Sequence, residues 1–129
     1  GYKIYGIADH GYIYNWIWSS RAKGLQALFK HPQLTPTGSL VRSLVLSLPR
    51  QRLAVYLDNY FTSIPLFQEL RKCGYGAVGT TRPHSQLPTN FKVLKTRYAN
   101  ALAWNTLIAK VVENTLCLAW QDNNIVLAL

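Results

Sequence analysis

Metal-assisted cleavage of phosphate esters needs carboxylates held at the end of a rigid element, and this chain of 129 residues has only five acidic residues for the purpose. Two of them fall where a strand should end. Asp9 follows the β-branched and aromatic run from residue 2 to residue 8, and Asp58 follows the continuous apolar run Leu53 to Leu57. Ligands of open α/β sheets sit beyond the carboxyl ends of strands, so neighbouring strands would bring these two carboxylates close together. Close carboxylates raise each other's pKa unless a cation lies between them, and the best match is magnesium, a hard divalent ion that takes oxygen ligands. Two such ions about 4 Å apart would activate an attacking hydroxyl and stabilise the leaving oxygen of a phosphodiester. The competing reading from spacing alone makes Asp9 a turn residue before Gly11 and Asp58 a loop cap.

The other possible chemistries find little support. Glu69 is expected on the polar face of a helix, and Glu113 and Asp122 in turns, all three as solvated surface. His10, His31 and His84 share no metal-ligand spacing, and no nucleophile, base and acid fall into a recognisable set. His10 adjoins Asp9, where it could meet a phosphate or serve as a turn residue. Gly74, Gly76 and Gly79 have neither the dinucleotide nor the Walker spacing, which disfavours nucleotide binding.

Charge points to the class of partner. Fourteen Lys and Arg against five Asp and Glu give +9 and a pI near 9.8, favouring a polyanion. Charge alone leaves nucleic acid and anionic membrane open, but there is no basic amphipathic helix and no apolar run long enough to span a bilayer. Candidate contacts to DNA phosphates are Arg21, Lys23 and Lys30 in one polar stretch and Arg82, His84, Lys92, Lys95 and Arg97 in another. The alternative for both groups is solvated loop charge. Trp16, Trp18, Trp104 and Trp120 lie in strand-like runs and are expected in the core. Cys73 and Cys117, each isolated in an apolar setting, read as buried thiols of a reducing compartment. A chain that opens on Gly1 rather than an initiator methionine suggests an excerpt of a longer product.

The elements that must position these residues follow from patterning. Two aromatic-rich runs, residues 2 to 8 and 12 to 18, flank Asp9-His10-Gly11 and form a hairpin signature. Residues 19 to 36 read as a connecting loop. Thr35-Pro36 then caps a helix with Leu40, Val41, Leu44, Val45 and Leu48 on one face, ended by Pro49. Leu53 to Leu57 suits a strand buried on both faces. Thr62 or Ser63 caps a second helix with Leu66, Phe67, Leu70 and Cys73 inward and Gly74 as terminator. Tyr75 to Thr80 is a further strand, completing a βαβ unit with parallel pairing. Residues 81 to 100 read as a polar loop. Leu102 to Val112, Thr115 to Trp120 and Ile125 to Leu129 form an antiparallel meander with turns at Glu113-Asn114 and Asp122-Asn123-Asn124.

One block is more specific than its composition. Asp58-Asn59-Tyr60-Phe61-Thr62-Ser63-Ile64-Pro65-Leu66, preceded by Val55-Tyr56-Leu57 and followed by Gly76-Ala77-Val78-Gly79-Thr80-Thr81-Arg82, resembles the central block of piggyBac transposases. Gly1 to Tyr14 is similar to the family's first catalytic strand, and Leu118 to Leu129 to a downstream strand region. The resemblance implies a partial catalytic domain of α/β class over 1–129: an incomplete ribonuclease H-like mixed sheet over 1–80, then a loop and an inserted antiparallel β meander over 81–129. It implies three aspartates that bind magnesium in a two-metal site for DNA cleavage and strand transfer, with Asp9 matching the first and Asp58 the second. No residue after Asp122 supplies the third. The expected partner is DNA, the expected compartment the nucleus, and the full-length form a possible homodimer. A catalytically silent, transposon-derived DNA-binding or interaction module is the alternative.

Overall fold

The computed structural model describes residues 3–19, 30–49, 52–84, 86–97 and 102–129. The chain divides into two compact units, Gly1–Leu53 and Ala54–Leu129. In the first, β1 (Lys3–Asp9) and β2 (Tyr12–Ser19) pair antiparallel from Lys3↔Ser19 to Asp9↔Tyr12, with a bulge between Ile7 and Ala8. The turn is two residues long, and both His10 (φ 46°) and Gly11 (φ 83°) take the left-handed conformation that matches the twist of a hairpin. Trp16 and Trp18 do not enter the core, being 48% and 52% exposed. They project together from β2 and pack edge to face on each other.

Helix α1 (Pro36–Leu46) begins as its sequence dictates: the Thr35 hydroxyl accepts from the Gly38 amide at 3.1 Å, and Pro36 occupies the first turn, where no amide is needed. Leu40, Val41, Leu44 and Val45 are buried and α1 packs on the hairpin, where Tyr5 is also buried. Leu48 lies past the helix end, in a tightened last turn closed by Leu48 N–H to Val45 O at 3.1 Å, because Pro49 bars continuation.

The second unit opens with the expected βαβ. β3 (Ala54–Leu57) and β4 (Gly76–Gly79) are parallel, Ala54 opposite Gly76 and Leu57 opposite Gly79, joined through α2 (Ile64–Lys72). α2 ends in a Schellman motif: Gly74 (φ 89°) and Tyr75 donate to the carbonyls of Arg71 and Leu70, both at 2.9 Å. Glu69, expected in solvent, is buried, with Lys72 Nζ 3.9 Å from Oε2 and the Cys73 thiol against Oε1. Its place one turn beyond Leu66 and beside Leu70 carries it onto the packed face. Cys73 is half-buried and Cys117 fully buried.

The expected loop 81–100 contains a helix, α3 (Thr89–Arg97). Pro88 begins it rather than breaking it, its carbonyl accepting from the amides of Phe91 (3.0 Å) and Lys92 (3.2 Å), and Phe91 is wholly buried. The meander forms as read, with β5 (Leu107–Val112), β6 (Thr115–Gln121) and β7 (Ile125–Ala128) antiparallel in that order. Glu113 and Asn114 make its first turn, both at positive φ. β5 starts later than expected because Ala103–Thr106 curls into a turn, and Trp104 (74% exposed) and Trp120 (38%) stay outside the core.

β7 then reaches back to β4: Gly79 and Leu129 exchange both backbone hydrogen bonds (3.1 and 2.9 Å), and Thr81 N–H donates to Leu127 O at 2.9 Å. The strands of this unit therefore run β3, β4, β7, β6, β5. One face carries Cys117, Ala119, Ile125, Leu127 and Leu129 into a core with Ile64, Phe67, Leu87 and Phe91. The other face is open. Tyr56, Val78, Leu107, Val111 and Leu116 are all exposed on it, so β3 is covered on one face, by α2, and not on both as its unbroken apolar run suggested.

Candidate functional site

Asp58 stands one residue past β3, in a loop that its own atoms organise. Its Oδ1 accepts from the Tyr60 amide at 2.8 Å, closing an Asx-turn. Its carbonyl accepts from the Phe61 amide (3.0 Å), the Thr62 amide (3.2 Å) and the Thr62 hydroxyl (3.0 Å). The buried Thr62 hydroxyl therefore turns back to Asp58 instead of capping α2, and Ser63 stands at the cap with no side-chain hydrogen bond. The carboxylate is exposed, and Oδ2 takes no hydrogen bond from the described residues.

Gly79 is what lets β4 lie against this loop. A Cβ there would meet Thr62 Oγ1 at 2.3 Å and Leu57 O at 2.7 Å, distances no side chain tolerates. Three residues on, Arg82 Nε donates to Asn59 Oδ1 at 3.1 Å, tying the loop after β4 to the loop after β3. The two halves of the sequence block are thus one physical object: Asp58, Asn59 and Thr62 on one side, Gly79 and Arg82 on the other. Patterning assigns Thr62 or Ser63 to the cap of α2 and Arg82 to DNA phosphate; the bonds from Thr62 to Asp58 and from Arg82 to Asn59 lie outside those expectations. The signal was the four-residue spacing from Asp58 to Thr62, which suits a hydroxyl bonding back to a carbonyl.

Asp9 ends β1 with its side chain 65% exposed and 2.6 Å from His10 Nδ1. A protonated His10 makes this an ion pair, and an imidazole that carries its proton on Nδ1 can donate to the carboxylate. Asp9 and Asp58 belong to different units of the chain. Exposed carboxylate oxygens at strand ends are suitable donors for a hard divalent cation. Among the described residues no three His, Cys, Asp or Glu side chains gather into a metal-binding group. The fit to a metal is thus one of donor type, with an incomplete donor set.

The basic candidates are in varied settings. Arg82 is exposed beyond its bond to Asn59. Lys95 on α3 donates through Nζ to the carbonyl of Ile125 at the start of β7. Lys92 lies near His84, whose pKa is lowered by burial and then by that ammonium. His84 Nδ1 accepts from the Gln86 amide at 3.3 Å, which places the ring proton on an enclosed Nε2. Both the burial and the ammonium disfavour the charged form of His84. Lys30 is exposed; Arg21 and Lys23 lie outside the described residues, as does the side chain of Arg97.

Compared with known proteins, residues 1–129 match the family model described as Transposase IS4. No curated protein matches. Among solved structures the chain is similar to the cryo-EM structure of a piggyBac transposase synaptic complex with hairpin DNA, with a TM-score of 0.75, 20% identity and 99% of this chain covered. It covers 26% of that chain, and so spans about a quarter of the solved relative. At that identity the likeness is one of fold, a mixed α/β arrangement, and it bears out the resemblance drawn from the Asp58 and Gly79 blocks. Because the family match runs from the first residue to the last, the chain belongs to the Transposase IS4 family.

Proposed function

We propose that this chain is part of the DNA-cleaving core of a piggyBac-type transposase, in which Asp9 and Asp58 are carboxylate ligands of magnesium within a ribonuclease H-like sheet. The observation that carries the reading is Asp58 itself, an exposed carboxylate whose loop is fixed at a strand end by a buried hydroxyl and by a glycine that no other residue could replace. Bound magnesium would polarise the scissile phosphate and lower the pKa of the attacking water or hydroxyl.

The chain's own residues would do the rest. The Tyr60 amide orients Asp58 Oδ1 and leaves Oδ2 for the cation, while His10 orients Asp9. Arg82 stays beside the Asp58 loop, where its guanidinium can meet a DNA phosphate. Arg21, Lys23, Lys92, Lys95 and Arg97 are the further cations proposed to face the DNA backbone, in keeping with the charge of +9. The place of action would be the nucleus, and the complete protein a homodimer.

Asp58→Asn in a full-length version should abolish magnesium-dependent cleavage of transposon-end DNA, measured on labelled duplex. Undiminished cleavage refutes the assignment. Salt-sensitive DNA binding with no nicking by the unsubstituted protein would instead mark a silent binding module.

A further inference from the structure

β3 and β4 run parallel as neighbours, so the loops that follow them leave the sheet at the same edge. One loop carries Asn59 and the other Arg82. Asn59 is held on both sides. It is the second residue of the turn that the Phe61 amide closes on the Asp58 carbonyl, and it lies inside the Asx-turn from Asp58 Oδ1 to the Tyr60 amide. With a short side chain on a fixed backbone, its Oδ1 is a nearly stationary acceptor.

Arg82 is the opposite case, a fixed root with a long arm. The Thr81 amide is bonded to the Leu127 carbonyl at 2.9 Å, and Pro83 confines the residue before it to extended backbone. The side chain is exposed, and the bond from Nε to Asn59 Oδ1 at 3.1 Å fixes the plane of its guanidinium. A guanidinium carries five N–H donors, and using the one on Nε leaves those on Nη1 and Nη2 as a fork that points away from the stem. Such a fork matches two oxygens of one phosphate. The acceptor is also neutral. An amide oxygen holds the arm without cancelling its charge, whereas a carboxylate there would pair with the guanidinium and weaken its field toward an anion.

We infer that Asn59 is the positioning residue for Arg82, presetting the guanidinium to take one backbone phosphate of DNA end on, beside the Asp58 loop. The inference rests on the contact of Arg82 with DNA given under the proposed function and not on the metal ligands, so it is tested without magnesium. Removing the Asn59 amide leaves the charge of Arg82 in place but frees the arm, which must then be ordered at the moment phosphate binds.

Heteronuclear NMR of the Arg82 Nε–H reads the positioning directly. Its exchange with water should be about three- to tenfold faster in Asn59→Ala than in the unsubstituted chain, and slow again in Asn59→Asp, which keeps an acceptor. Binding to a fluorescein-labelled random-sequence duplex, at low salt with a chelator present, should weaken about three- to tenfold in Asn59→Ala. In a chain already carrying Arg82→Gln, the same substitution should cost less than about twofold. Asn59→Asp should bind no better than Asn59→Ala, because its arm is held but its charge is matched. Equal losses in both backgrounds, no loss in either, or an Nε–H signal indifferent to the residue at 59 would overturn the inference. Lost protection of the Tyr60 amide in Asn59→Ala would do the same, by making Asn59 a structural residue of the turn. If Arg82→Gln alone binds the duplex as tightly as the unsubstituted chain, the phosphate contact itself fails, an outcome separate from the others that takes the inference with it.

Discussion

At the scale of single residues, Thr62 and Asp58 share one task. The hydroxyl of Thr62 gives up a helix cap to hold the Asp58 carbonyl, so under the proposed function Thr62→Val should lower cleavage by a full-length protein without changing the metal dependence proposed for it. A changed metal requirement would argue against this positioning role. His84 gives a pH prediction with a definite sign. Its folded pKa is lowered, so the unfolded chain takes up a proton there before the folded chain does. Stability from this group is therefore present above the ordinary histidine pKa of about 6.5 and is lost as pH falls toward the folded value. His84→Gln should flatten that part of the urea-midpoint curve. Burial likewise raises the Cys117 thiol pKa, so a maleimide at neutral pH should label Cys73 first.

At the scale of elements, the packing of β4 on β3 is the sharpest point. Gly79→Ala forces a methyl group against Thr62 Oγ1 and Leu57 O and should destabilise the chain by about 1–3 kcal/mol. Adding Thr62→Ala should not rescue it, because the Leu57 carbonyl remains in the way; chemical denaturation of the two variants checks both statements. The hairpin, α1, the βαβ unit and the meander were legible in the sequence because each is announced locally, by Asp9-His10-Gly11, Thr35-Pro36, Pro65 with Gly74, and Glu113-Asn114. α3 was not legible. Pro88, Thr89 and Asn90 carry turn chemistry, and within so short a helix only Phe91 and Leu94 mark the inward face. Phe91→Ala should cost about 3–5 kcal/mol. The tryptophans misled because alternation identifies a strand without revealing which of its faces is covered, and Glu69 misled because helical position placed a carboxylate beside Leu70 despite its charge. The place of Asp58 at the end of β3 was legible because an apolar run ends there. The use of Thr62 was not, since a hydroxyl before a helix can bond either forward to an amide or back to a carbonyl.

At the scale of the whole molecule, a charge of +9 coexists with an uncharged sheet face carrying Tyr56, Val78, Leu107, Val111 and Leu116. The exposed apolar area there is on the order of 600 Å2, the upper range for a monomer surface. Val111→Lys should raise the solubility limit without moving the midpoint of unfolding, and light scattering against concentration tests it. DNA binding should weaken at least ~10-fold between 50 and 200 mM salt if several cations contact phosphate, measured by fluorescence anisotropy.

The ladder joining Gly79 to Leu129 also has a kinetic meaning. As the chain leaves a ribosome, α2 and α3 emerge well before the strand that completes the surface they rest on. Phe67 and Phe91 must stay uncovered through that interval, and their burial waits on a contact between residues far apart in the nascent chain.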